Sequence, residues 1–447
     1  MRDNSFHAAR GVHPRYRMAS RGAAPRGQIT QRDRAQIVVR GLLAFAAFFL
    51  SWRVLRFSAV NITVSDLALL ACAFILVLRG KLNPLPFGNL TLPWFIGLSL
   101  MLGGLLISTL ANGDAIRWVI VGSQYFFAFA IVPMVLMSTD RKWIRRCAVY
   151  YVVGVAISQV IGVTAASFLT FGDAGIPNNP GFVTPTGRVG SMSGEPNPNG
   201  AICAFAFPFL INAVQRGDMS WKLALPCALA IVWGLLATAS FTGFASSAIA
   251  IAIVLGLSGI GTLARVGIPI VLLATAYIAL GGPVPEIFGE RVIQALVSGD
   301  PSKAGTYPGR SVLIVEAWDF AEDNMILGLG ADGYRHVSAY GIPAHILHLI
   351  ILNEGGVIAF LGLETMLLIM VVIGFSVYRE NRADGAMCLA VVAVFLIFTM
   401  SIPHMYTRVW IVPVFLAFAC ALARERVVRS QNRVAHPSAR HHKVLEG

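Results

Sequence analysis

Residues 345–376 read HILHLIILNEGGVIAFLGLETMLLIMVVIGFS. From Leu349 to Ser376 only Glu354 and Glu364 are charged. A bilayer core about 30 Å thick is crossed by about 20 mostly apolar residues in helix, so this run can span a membrane with residues to spare. Outward from it, comparable runs lie at 37–57, 60–79, 91–111, 116–137, 143–170, 198–215, 222–239, 241–262, 266–283, 385–402 and 408–423. The stretch 222–262 can form two tight helices around Thr238–Gly243 or one broken element.

Composition agrees with this pattern. Of 447 residues, 56% are hydrophobic and only 13% charged, against roughly 25% charged in an ordinary soluble chain. That is too little charge to clothe two or three soluble domains, and too much apolar content for a disordered chain. The expected fold is an all-α polytopic membrane protein of about twelve transmembrane helices, each about 20 residues long.

The net charge of +13 would suit a nucleic-acid binder, but its placement says otherwise. With the N-terminus inside, most of the 35 Lys and Arg fall on the cytoplasmic side, leaving Arg53, Arg56, Arg117, Arg188, Arg291, Lys303, Arg310, Arg335 and Arg408 outside. This is the positive-inside pattern. It divides the chain into a flexible basic tail 1–36, a transmembrane domain 37–423 and a flexible basic tail 424–447, both termini cytoplasmic, with no nucleic-acid partner. The tails can lie against anionic lipid. The first forty residues are too long and Arg-rich for a simple signal peptide. Six cysteines in or beside the spans predict neither disulfides nor a Cys metal site.

Two outer connections, about 171–197 and 284–343, are too long to be mere links. The first runs through Gly187-Arg188-Val189-Gly190 to Glu195-Pro196-Asn197-Pro198-Asn199. There Asn197 reads as a helix N-cap and Pro198 as the first helical position. The free N–H groups of that helix would face the outer surface. In the second, 312–322 reads as an amphipathic helix with Glu316, Asp319 and Asp323 on one face and Ile314, Trp318 and Ala321 on the other. Pro343 would then open a helix whose first turn carries His345 and His348 on one face. A metal-ligand pair and a structural role are the other readings of these histidines.

In order along the chain stand Gly309-Arg310, Trp318, Gly328-Leu329-Gly330, then His345, Leu349, Glu354 and Gly356. With Arg188-Val189-Gly190 and the Pro-Asn pairs at 196–199, this pattern resembles the O-antigen ligase and O-antigen/exopolysaccharide polymerase superfamily of bacterial inner-membrane proteins. The likeness covers 185–360 in motif and the whole chain in topology. Ile346 stands where the family has Asn, and Phe241-Thr242-Gly243 where it has Ser-Arg-Gly. Arg117 or Arg408 could replace that arginine.

The resemblance implies a GT-C-like, metal-independent glycosyltransferase in the bacterial inner membrane. It would use an undecaprenyl-pyrophosphate-linked oligosaccharide as donor and need no cofactor. Membrane lipids and other polysaccharide assembly proteins would be its partners. Arg188 and Arg310 would steady the departing pyrophosphate, and His345, or Glu195, would orient or deprotonate the acceptor hydroxyl. His348, Arg117, Arg291, Arg335, Arg408, Asn197 and Asn199 are further candidates for binding substrate. Polymerase is preferred to ligase. A secondary transporter or lipid-linked glycan flippase is the alternative of another class; it would be expected to carry ionisable groups and broken helices near the membrane midplane.

Overall fold

The computed structural model describes residues 31–57, 61–168, 181–268, 285–299 and 307–423. The tail 424–447, most of the tail 1–36, most of the span expected at 266–283, Lys303 and the first part of the 171–197 loop lie outside the described residues.

The described chain is almost entirely helical. Helix α1 (Gln31–Phe49) is followed by a ribbon of β1 (Arg56–Phe57) paired antiparallel with β2 (Ile62–Thr63). Then come α2 (Val64–Leu78), α3 (Thr91–Asn112), α4 (Ala115–Leu136, with a π-helical turn at Phe127–Ile131) and α5 (Arg141–Phe168). The central group is α6 (Pro196–Gln215), α7 (Trp221–Thr238) and α8 (Phe241–Leu257). The last four helices are α9 (Tyr307–Asn324), α10 (Leu347–Glu380), α11 (Arg382–Thr399) and α12 (Arg408–Leu422).

Among the described residues six helices are long and apolar enough to cross a membrane: α3 with the turn before it, α4, α5, α7, α10 and α11. Helices α2, α8 and α12 are apolar but shorter. Large apolar side chains face outward along the bundle, among them Leu110 (71% exposed), Leu78 (70%) and Phe74 (65%). Water would penalise such a surface, whereas hydrocarbon does not. The chain is an all-α membrane protein.

The centre is α6, buried at every residue from Asn199 to Ala213 and packed by α5, α7, α8 and α11. Helices α3 and α10 cross closely because small residues meet there. A Cβ on Gly104 would lie 2.5 Å from the Ala359 nitrogen, and one on Gly362 would lie 2.3 Å from that of Met101. Arg145 and Arg216 both grip Asp384 at the start of α11, and Arg40 pairs with Asp140. Three of the basic residues expected on one side, Arg40, Arg145 and Arg216, are thus tied to carboxylates at helix starts.

Helix α10 is not a single rod. Gly356 has φ 65° and ψ −172°, which breaks it. His348 Nδ1 nevertheless hydrogen-bonds Glu364 Oε1, 16 residues on. A straight helix would hold them about 24 Å apart, so the chain doubles back at the break. The carbonyls freed there are taken up by the Gly-rich segment after α9: Leu329 N–H donates to Asn353 O (2.8 Å) and Gly330 N–H to Glu354 O (3.0 Å). A Cβ on Gly356 would lie 2.3 Å from Ile326 O. Gly356→Ala is therefore expected to destabilise the protein by about 2 kcal/mol or more. Thermal melting in detergent should show this, while Gly41→Ala, which meets nothing within 4 Å, leaves the transition in place.

Several sequence expectations need correcting. Helix α1 covers Gln31–Phe49, so it reaches into the expected tail and stops short of 57, where Arg56–Phe57 already form a strand of the ribbon. Pro196, not Pro198, takes the first position of α6, so Asn197 lies inside the first turn and Glu195 is the cap residue without a capping bond. Pro343 does not open a helix: α10 starts at Leu347, so His345 and His348 do not share a helical face. In α9 the buried side is Leu313, Ala317 and Ala321, packed toward α10, while Trp318 is exposed and hydrogen-bonds Glu322. Glu316 accepts from Tyr334 Oη, Ser338 Oγ and Ala339 N–H, so it ties down the following loop and is not left facing solvent.

Candidate anion site at the outer loops

Residues 184–188 form a tight hairpin. Thr184 N–H donates to Arg188 O (2.9 Å), Gly187 N–H donates back to Thr184 O, and Gly187 takes φ 75°. Val189 and Gly190 then bond to Ala237 O and Phe182 O, which wraps the segment around the start of α6. Arg188 is held at the base of this hairpin. Its Nε donates to Thr238 O (2.8 Å), at the carbonyl end of α7, and its Nη2 donates to Asn197 Oδ1 (2.7 Å). A cation at a helix C-terminus is favourably placed. Only 8% of Arg188 is exposed.

Two arginines from the second loop approach it. The short helical run 286–298 packs Phe288 and Val292 against Leu236, Ala239 and Phe241 at the α7–α8 turn, bringing Arg291 there. Arg310 comes from the first turn of α9. Burial, and then the charges of Arg291 and Arg310, push Arg188 down to about 10. Burial and Arg291 lower Arg310, and burial lowers Arg291. Among the described residues none of these three arginines forms an ion pair with a carboxylate, whereas Arg40, Arg53, Arg117, Arg145, Arg216, Arg335 and Arg408 each do. His345 belongs to the same neighbourhood: burial, then Arg310, holds its imidazole below the ordinary 6.5. Both causes favour the uncharged ring.

Three buried or half-buried cations that repel one another and lack an anion favour a ligand of high negative charge. Arg188, reaching Thr238, brings a guanidinium close to the α7–α8 turn.

The other candidates are placed differently. Asn199 is wholly buried and bonded to Gln159, Ser191 and Val189 O, which fixes the loop on α6. Glu195 is 56% exposed and faces Arg53 at 3.6 Å. His348 lies between Glu364 and Thr399. Arg408 is buried, with Nε and Nη2 on the two oxygens of Asp66 and Nη2 also on Asn61 O, so it is engaged in holding α12 to α2.

Arg117 and Arg335 meet Asp332, at 2.6 and 3.6 Å. Asp332 has φ 59° and sits in the loop docked on α3, where Gly330 N–H reaches Ser108 Oγ (2.7 Å) and Ala331 N–H reaches Thr109 Oγ1 (2.9 Å). His404 Nε2 lies 3.9 Å from Asp332 Oδ1 and 3.8 Å from Glu354 Oε1. One donor atom from each of the three falls within 4.8 Å of the others, the spacing of a group able to hold a metal ion. Burial drives the His404 imidazole down to about 4 despite Asp332, and Arg335 and Arg117 reinforce the shift. Tyr406 packs its ring 5.5 Å from that of His404.

Sequence reading did not find His404. It lies in a short connector, and nothing local ties position 404 to 332 or 354. The adjacent pair Gly355-Gly356 was the available signal for the break beside Glu354. No family model matches this chain, and no curated protein matches it.

Proposed function

We propose that this protein is a polysaccharide polymerase of the bacterial inner membrane with both termini cytoplasmic, transferring glycan from an undecaprenyl-pyrophosphate carrier to a hydroxyl of a lipid-linked repeat unit. The observation that carries the reading is Arg188, 8% exposed and fixed by Thr238 O and Asn197 Oδ1, with Arg291 carried to the same α7–α8 turn, Arg310 and His345 in its neighbourhood, and none of the three arginines ion-paired among the described residues. In the proposed reaction the acceptor oxygen attacks the anomeric carbon as its bond to pyrophosphate oxygen breaks. The hydroxyl proton passes to His345, and the bond electrons leave with the lipid pyrophosphate. The guanidinium forks gain most as that charge develops. A single displacement inverts the anomeric centre. The twelve spans and a GT-C-like architecture belong to this proposal.

Transfer should fail on the acid side as His345 takes up a proton. Its position beside Arg310 puts the acid limb below 6.5. Arg310→Gln removes a neighbouring cation, so the limb of the residual activity is expected to move up. A pH–rate profile of both proteins measures this; an unmoved limb would remove His345 from the role of base.

The test of the reading is reconstitution with a lipid-pyrophosphate repeat unit as the only substrate. A ladder of products is expected. Product formed only after lipid A core is added would make the protein a ligase. Transport is favoured by one observation, the break in α10 beside buried Glu354. Residues 357–380 alone would cross about 36 Å, enough for a bilayer, so in the proposed topology the break would fall at the outer margin, away from the midplane where transporters bind. Movement of glycan across the bilayer without turnover would establish that reading instead.

A further inference from the structure

We propose that Asp332, Glu354 and His404 bind one divalent transition-metal ion of the manganese-to-zinc series, at the break in α10. The three side chains come from separate segments: the loop after α9, α10, and the α11–α12 connector. Glu354 is 1% exposed. Both its oxygens, both His404 ring nitrogens and Asp332 Oδ1 are buried without a hydrogen-bond partner. The Asp332 amide faces the Glu354 carboxylate without reaching hydrogen-bond geometry. Each such orphaned atom costs about 1–3 kcal/mol, and native structures seldom leave one unexplained. One such atom from each residue lies within 4.8 Å of the other two.

The donors choose the class of ion. One imidazole nitrogen with two carboxylates is a mixed set, suited to the middle and end of the first transition row and poor for calcium, which wants six to eight oxygens. In a tetrahedral site with bonds of about 2.05 Å the donors stand about 3.3 Å apart, so the spacings of 3.8 and 3.9 Å close by about half an ångström on binding. Arg117 holds Asp332 Oδ2 at 2.6 Å and leaves Oδ1 toward the ion, the orienting contact that metal carboxylates usually carry. Arg335, 46% exposed, faces that same Oδ1 at 3.6 Å, beyond hydrogen-bond distance; its charge is screened by solvent, and the ion would take its place at Oδ1. The ion would staple the outer loop to α10 and to the α11–α12 connector. It takes no part in the transfer step, and the inference does not rest on the glycan-transfer reading.

The full chain, purified in detergent and stripped with chelator, is dialysed against Mn2+ or Zn2+ alone and its metal content measured. One ion per chain is expected, with a rise in melting temperature on binding. Glu354→Gln, Asp332→Asn and His404→Ala should each weaken binding at least tenfold and lose the melting shift, while His348→Ala keeps both. A stripped wild-type protein that binds no ion, its orphaned atoms holding only water, overturns the proposal without recourse to any variant. So does an ion count that the folded variants leave unchanged.

Discussion

Arg188→Ala is expected to lower glycan transfer by at least about a hundredfold, the cost of removing one preorganised donor from a developing anion, while the protein still inserts and folds. The alanine leaves Thr238 O and Asn197 Oδ1 without a partner, worth about 1–3 kcal/mol. It also relieves the repulsion with Arg291 and Arg310, so the structural loss is partly offset. Size-exclusion and melting profiles should stay close to wild type as activity falls. Arg310→Ala is expected to behave alike. Arg310→Lys separates charge from shape: lysine keeps the charge but cannot grip phosphate with a planar fork, so a large loss is expected there too. Full activity in Arg310→Lys would reduce the arginine to charge neutralisation.

The largest effect on stability is expected at the opposite kind of arginine. Arg408 is 4% exposed and Asp66 1%, and the pair joins helices far apart in sequence. Asp66→Ala leaves a buried guanidinium uncompensated, a loss of about 3–5 kcal/mol. It also removes the capping box in which Thr63 and Asp66 close the start of α2, about 1 kcal/mol more. The double replacement Asp66→Leu with Arg408→Leu should recover much of this, since no buried charge is then left alone. Thermal melting of the two single variants and the double variant completes the cycle. An unshifted Asp66→Ala transition would return Arg408 to the list of residues free to meet substrate.

These two arginines show what a single sequence makes legible. Both looked alike, as basic residues at outer helix ends. Arg188 sits in a Gly-rich hairpin whose local signals could be read. The partner of Arg408 is 342 residues away, and no local pattern points to it. Helices appeared where apolar runs stood because twenty apolar residues in lipid have few other choices. The split of α10 was not read, because an apolar run scores as one span whether or not a glycine inside it turns left-handed. Arg291 was recognised as an outer cation, but its delivery to Arg188 depends on Phe288 and Val292 packing against the α7–α8 turn. His404 was missed because its meaning exists only across three segments. Helix starts shifted by a residue or more, as at Pro196 and Leu347, wherever two cap-like residues stood in competition.

The central claim is that the three arginines receive a lipid pyrophosphate as glycan is transferred. The most direct measurement is transfer by purified wild-type and Arg188→Ala protein in proteoliposomes, supplied only with a lipid-pyrophosphate repeat unit. A ladder of longer glycans and released lipid pyrophosphate from the wild type, with neither from Arg188→Ala, is the predicted result. No product from the wild type, or equal ladders from the two proteins, would contradict it.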